Sequence, residues 1–219
     1  MSAKSEILGR VRRGVGRGDF AGRRAAAVAS LKLAERGPQP LLAADLIGRF
    51  RARAEYLSST VGAVASLAEV PAAVATYLAA NGLASQAVAT GDVGGLDWVA
   101  SGLQVEARAA VDADKTGISG CFCAIAETGT LLLLSGPATP ATVSLLPETH
   151  VALVPVSRLV ATMEDAFALL RAEHGNLPRA VNFISGPSRT GDIEQTIVLG
   201  AHGPCRVHLI LIGSGPPGG

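Results

Sequence analysis

From Val61 onward short apolar runs alternate with stretches of helical periodicity, and no other feature constrains the fold as tightly. Strand-like pieces fall at about 62–65, 87–90 and 103–107, and then at 131–134, 151–156, 180–184 and 207–212. Helical segments separate them. One carries Glu69 and Pro71 in its first turn, where both are favoured, and stops at Asn81-Gly82. Another follows Ser157, with Leu159, Met163, Ala166, Phe167 and Leu170 at helical spacing, and ends near His174-Gly175. A short helix is predicted over 192–199. Strands alternating with helices predict an α/β fold with a mainly parallel sheet flanked by helices. Ligands in such sheets bind beyond the carboxyl ends of the strands. That rule directs attention to the loop after Ile184 and to the turn around Glu127.

Residues 1–60 read differently. Ile7, Leu8, Val11 and Val15 share one face of a helix, a second helix is predicted over 23–36 with a stop at Gly37-Pro38, and a third over about 42–57. This opening segment holds 12 Lys/Arg against 5 Asp/Glu, and the remainder holds 7 against 13. The expected organisation is a basic helical extension at 1–60, an α/β domain at 61–212 and a disordered tail at 213–219. The basic arm is either a docking element for a partner or anionic surface, or a solvated face balanced by an acidic body. No aromatic residues interleave with its arginines, so nucleic-acid binding is not indicated.

Composition narrows the class further. Hydrophobic residues make up 48% and aromatics 4%, so the core is built from Ala, Val, Leu and Ile. The apolar runs are too short to span a bilayer, and the first 30 residues lack the pattern of a signal peptide. A cytoplasmic protein with at most peripheral membrane contact is expected. Cys121, Cys123 and Cys205 show no CxxC spacing, which indicates neither a disulfide framework nor an iron–sulfur cluster held by this chain alone. His150, His174, His202 and His208 form no HxH or HxxxH pair, and no metal site is expected.

Three loops are rich in residues that do chemistry. AIAETGT places Glu127 in an apolar setting beside Thr128, Gly129 and Thr130. Burial would raise its pKa and suit it to acid–base or nucleophilic work, or the carboxylate simply caps a turn. NFISGPSRTGDIE combines Ser185, Gly186, Ser188, Arg189 and Thr190 with Asp192 and Glu194. Exposed amides and the Arg189 fork favour an anion, whereas the two acids compete for the same groups. It is a ligand loop or a plain strand-to-helix turn; neither GxxxxGK nor GxGxxG is present. GAHGP sets His202 between glycines, as an acid–base group, a ligand or a structural turn.

AIAETGTLLLLSGP, SLLPETHVALVP and NFISGPSRTGDIEQTIVLGAHGP, in that order, closely resemble the lactate-utilisation protein C family, the LUD domain, over roughly 61–212. The basic helical N-terminus is also typical of that family. The resemblance implies a fold similar to the sugar-phosphate isomerase and CoA-transferase superfamily. It implies a non-redox subunit of a three-component system that oxidises lactate to pyruvate. Two cysteine-rich partners would carry the iron–sulfur clusters, with no cofactor bound by this chain alone. One departure stands out: GPATPATVSLLP lacks the arginine usual before SLLP, so either substrate handling differs or it falls to Arg189 alone. The alternative is a free-standing CoA-transferase-like enzyme or small-anion binder that uses Glu127 and the Ser188, Arg189 and Thr190 loop.

Overall fold

The computed structural model describes residues 3–15, 19–33, 36–39, 44–190, 198–200 and 202–213. Two compact units are present, Met1–Leu41 and Leu42–Gly219. The first contains α1 (Ala3–Val15) and α2 (Phe20–Leu33), neither of which buries a residue. Ile7, Leu8, Val11 and Val15 form the expected stripe on α1 and are all exposed. Helix α2 begins three residues earlier than its apolar spacing suggests, because the Asp19 carboxylate accepts the Gly22 N–H at 2.8 Å and caps it.

The third predicted helix is α3 (Leu46–Tyr56), capped by Asp45, which accepts the Gly48 N–H. Its Phe50 and Ala54 are fully buried against Leu131, Ile184 and Leu209. Those contacts place α3 in the second unit, whereas a boundary at residue 60 groups it with the arm. Helical periodicity shows an apolar stripe but not what covers it.

The second unit continues with β1 (Thr60–Val64), α4 (Val70–Ala80), β2 (Gln86–Ala89), β3 (Gln104–Ala107) and β4 (Thr116–Ser119). Next come β5 (Cys123–Ile125), β6 (Thr130–Leu134), the one-turn α5 (Thr142–Leu145), β7 (Thr149–Pro155) and β8 (Leu159–Val160). The chain ends through α6 (Met163–Glu173), β9 (Val181–Ile184), β10 (Arg189–Thr190), β11 (Val198–Leu199) and β12 (Arg206–Ile212). Six strands form one sheet in the order β1-β12-β7-β4-β2-β3, with every neighbouring pair parallel. Two of its interior strands, β12 and β7, read as continuous apolar runs because both faces are covered. Val151, Leu153, Ile210 and Ile212 face α4, while Ala152, Val154, Leu209 and Leu211 face the opposite layer.

That opposite layer is a second sheet in the order β8-β5-β6-β9, joined by α3. Strands β5–β6 and β6–β9 are antiparallel, with Leu131 opposite Ile184 and Leu134 opposite Val181. Helix α6 covers the far side of this sheet, where Cys123, Ile125, Leu132 and Ala166 are buried together.

Two elements differ from their predicted form. Helix α6 starts at Met163 instead of following Ser157, because Thr162 and Asp165 form a reciprocal capping box there, and Leu159–Val160 pairs with β5. Val198–Leu199, expected at the end of a short helix, pairs antiparallel with Arg189–Thr190; the rest of that predicted helix lies outside the described residues. Among the described residues no helix is long and apolar enough to cross a membrane.

Candidate functional site

Glycines place the two longer motifs against α3. Gly129, in the β5–β6 turn, has a φ of 68°, and a Cβ on it would lie 2.5 Å from the Ala54 backbone nitrogen. Gly186, after β9, has a φ of 81° and abuts the Leu57 carbonyl oxygen in the same way. Only a residue without a side chain satisfies both the positive φ and the close approach. A hydroxyl chain ties the two turns together. Thr128 Oγ1 donates to Thr130 Oγ1 at 2.8 Å, and Thr130 Oγ1 shares a 2.7 Å hydrogen bond with Ser185 Oγ.

Arg189 reaches the same helix end. Its Nη2 donates to the Leu57 carbonyl at 3.1 Å and to Ser58 Oγ at 2.5 Å. A guanidinium there fills an orphan carbonyl and complements the negative end of the helix dipole. Ser188 links the third motif: its N–H donates to the Pro204 carbonyl at 2.8 Å, and its carbonyl accepts the Gly200 N–H at 2.9 Å. Thr190 is half-buried in β10, and His202 is exposed on the loop beyond β11. Asp192 and Glu194 lie outside the described residues. The first two motifs therefore meet at one helix end, and the third joins them through Ser188, although all three are far apart in the chain.

Glu127 occupies the turn next to Gly129. Its N–H donates to the Ala161 carbonyl at 3.0 Å, and its own carbonyl receives a long 3.5 Å contact from Arg49 Nη2. The residue is half-buried, and its carboxylate has no hydrogen-bond partner among the described residues. Arg49 and Arg53, one turn apart on α3, were not apparent as site residues from the sequence. The Nε atoms of both are buried without a partner among the described residues, and the Arg53 guanidinium lies 5.1 Å from the Tyr56 ring. The available signal is their spacing: each arginine directly precedes a residue of the buried stripe, Phe50 or Ala54, and the pair recurs at i and i+4.

A second region lies at the carboxyl ends of the parallel strands. After β2 the chain moves outward to β3, while after β4 the next strand of this sheet is β7 on the other side, so the order reverses between β2 and β4. The turns at Glu127 and after Ile184 belong to the second sheet and do not lie at this reversal. A cleft of about 200 Å³ opens there, lined by Thr90 and Asp92 after β2, Ser119 at the end of β4, and Leu133, Leu134 and Asn182 from the second sheet.

The floor of the cleft is polar. Ser119 Oγ lies 2.8 Å from Nε2 of the fully buried His150. Burial pulls His150 down to about 4, so its ring is neutral at physiological pH. His150 Nδ1 and Thr90 Oγ1 are both buried without hydrogen-bond partners among the described residues. Cys121 also lines the cleft, and burial, with a smaller contribution from Cys123, pushes its thiol up to about 12. Burial likewise lifts Cys123 to about 11. Neither sulfur is a thiolate at neutral pH. Among the described residues no group of three His, Cys, Asp or Glu side chains converges as a metal site.

The family model of the LUD domain matches residues 32–212. A Lactate utilization protein C from Anoxybacillus flavithermus is 39% identical over 103 residues, which cover 47% of this chain and 46% of that protein. The protein of the same name from Exiguobacterium sp. is 38% identical over 118 residues, 52% of this chain and 51% of the relative. Its counterpart from Bacillus subtilis is 39% identical over 101 residues, 45% and 42%. The chain thus spans about half the length of the curated relatives it matches. Among solved structures, a DUF162 family protein from Deinococcus radiodurans superposes with a TM-score of 0.58 at 26% identity, covering 80% of this chain and 100% of that one.

Proposed function

The chain belongs to the LUD domain family, and from that premise we propose that it serves lactate utilisation in the cytoplasm. In this reading it is a subunit without redox centres of its own, and two cysteine-rich iron–sulfur proteins take the electrons released as lactate becomes pyruvate. One observation carries the reading: relatives at 38–39% identity bear the name Lactate utilization protein C. The three cysteines, Cys121, Cys123 and Cys205, show no CxxC spacing, which supports placing the clusters on partners.

Within this reading the end of α3 meets the small carboxylate. Arg49 and Arg53 offer buried, unpartnered guanidinium N–H groups beside the Glu127 turn, and charge-assisted pairing with a carboxylate satisfies them. The basic arm, with its exposed apolar stripe, docks the partners.

Deleting the gene and growing the strain on lactate as sole carbon source tests the role; undiminished growth would remove it. Affinity purification from lactate-grown cells is expected to recover two iron–sulfur proteins. Reversing Arg12, Arg13 and Arg17 to Glu should weaken that recovery. Arg49→Met with Arg53→Met should abolish growth on lactate while the protein still accumulates. Normal growth of that double variant would displace the carboxylate from this junction and leave the broader role standing.

A second reading, a free-standing CoA-transferase-like enzyme, is favoured by the unpartnered Glu127 carboxylate. Its measure is Glu127→Gln: turnover of a CoA-ester substrate should vanish with the fold intact, and turnover equal to the parent would end it.

A further inference from the structure

We propose that the cleft between the ends of β2 and β4 binds a small, uncharged, hydroxylated molecule, with Ser119 and Thr90 as its hydrogen-bonding residues. This site is separate from the carboxylate junction and does not rest on the role in lactate utilisation.

Position is the first ground. The cleft opens where the strand order reverses, the place at which parallel sheets leave a crevice between diverging connections. At about 200 Å³ it has room for roughly six waters at about 30 Å³ each, the size of a three- to five-carbon molecule.

Unsatisfied polar groups are the second ground. Thr90 lines the cleft at 4% exposure, and its hydroxyl has no partner among the described residues. A buried hydroxyl in that state costs stability unless something else completes its hydrogen bond. Ser119 is poised similarly. If His150 Nε2 accepts the Ser119 proton, the opposite N–H of the ring is a buried donor without an acceptor. If Nε2–H donates to Ser119 Oγ, the ring leaves only an unpaired nitrogen lone pair, the milder defect. The second tautomer frees the Ser119 O–H to donate into the cleft. Because burial keeps the ring neutral, this arrangement holds across the physiological range.

Charge is the third ground, and it selects the ligand. Among the described residues no lysine or arginine lines the cleft, whereas Asp92 does. A carboxylate or phosphate would meet repulsion without a counter-charge. Hydroxyl groups are the better complement. They donate to Asp92 and to the Asn182 amide oxygen, and they accept from Ser119 and Thr90. Leu133 and Leu134 cover the C–H surfaces.

Propane-1,2-diol and L-lactate share a three-carbon skeleton and differ in one end, CH₂OH against COO⁻. Titrating each into methyl-labelled full-length protein and following Leu133 and Leu134 by NMR separates them. The diol is expected to give saturable shifts at both leucines and lactate none. Ser119→Ala and Thr90→Val should each weaken diol binding roughly five- to tenfold, and Thr90→Val, being isosteric, preserves the fold. Asp92→Asn should narrow the gap between the two probes. Equal response to lactate and diol, no response to the diol at the highest concentration that leaves the protein folded, or diol binding unchanged in Thr90→Val would each overturn the proposal.

Discussion

The end of α3 and the cleft at the ends of β2 and β4 are built in opposite ways. At the helix end, backbone meets backbone: Gly129 and Gly186 let two turns press on α3, and Arg189 spends its Nη2 on Leu57 and Ser58. Arg49 and Arg53 make this region cationic. At the cleft there is room instead of contact, and its charged lining residue is a carboxylate, Asp92, instead of guanidinium groups. A segment dense in Gly, Ser and Thr can thus mark close backbone packing instead of an open site. Open volume lies among residues such as Thr90 and Ser119, which attract no notice singly.

The comparison breaks most sharply at Gly186. Gly186→Ala combines left-handed backbone strain with overlap on the Leu57 carbonyl, and a loss of about 4 kcal/mol is expected in urea unfolding. Gly102 also has a positive φ, 75°, but open space around it, so Gly102→Ala should cost only about 1 kcal/mol. Equal losses at the two glycines would mean that contact with α3 contributes nothing.

Beneath the cleft the test is pH. His150, and His208 stacked on Tyr77, are both held near 4 by burial, against an ordinary 6.5. Each is neutral in the fold, and the unfolded chain gains the proton as pH drops below 6.5. Their stabilisation is therefore complete above 6.5 and declines as pH falls toward 4, by up to about 3 kcal/mol each. Unfolding midpoints measured across that window should fall steadily; a flat profile would contradict the buried neutral rings.

Smaller effects sharpen the contrast. Arg189→Met should cost about 1 kcal/mol through the lost helix-end contact, read as a lower thermal midpoint. Thr90→Val should leave stability unchanged or raise it by up to about 1 kcal/mol, because it removes an unpartnered hydroxyl. Destabilisation by Thr90→Val would reveal a partner for that oxygen and close the cleft as an open site.

Much of the fold was legible because its signals are local. The runs at 151–156 and 207–212 are apolar on both faces, as interior parallel strands must be, and they occupy interior places in the sheet. The helix over 70–80 carries Pro71 in its first turn and ends at Asn81. The start of α6 was also written locally, in Thr162 and Asp165, but Leu159 fits a helical spacing equally well and drew the boundary toward Ser157. The second sheet was not legible as such. A run of four leucines at 131–134 declares a buried strand, yet nothing in it specifies antiparallel pairing with 181–184.

The site divides along the same line. Local chemistry by itself determined an α/β architecture, a basic helical arm, and three turns in which glycine and hydroxyl residues had to do something unusual. Only the tertiary structure decided what those turns touch. The acceptors of Arg189 lie 131 and 132 positions away in the chain, and Ser119 meets His150 across 31. The cleft exists solely because β2 and β4 became neighbours with diverging connections. Periodicity and turn propensity act over a few residues, whereas strand order and burial are set by closure of the whole core, so a contact between distant segments leaves no mark in either one alone.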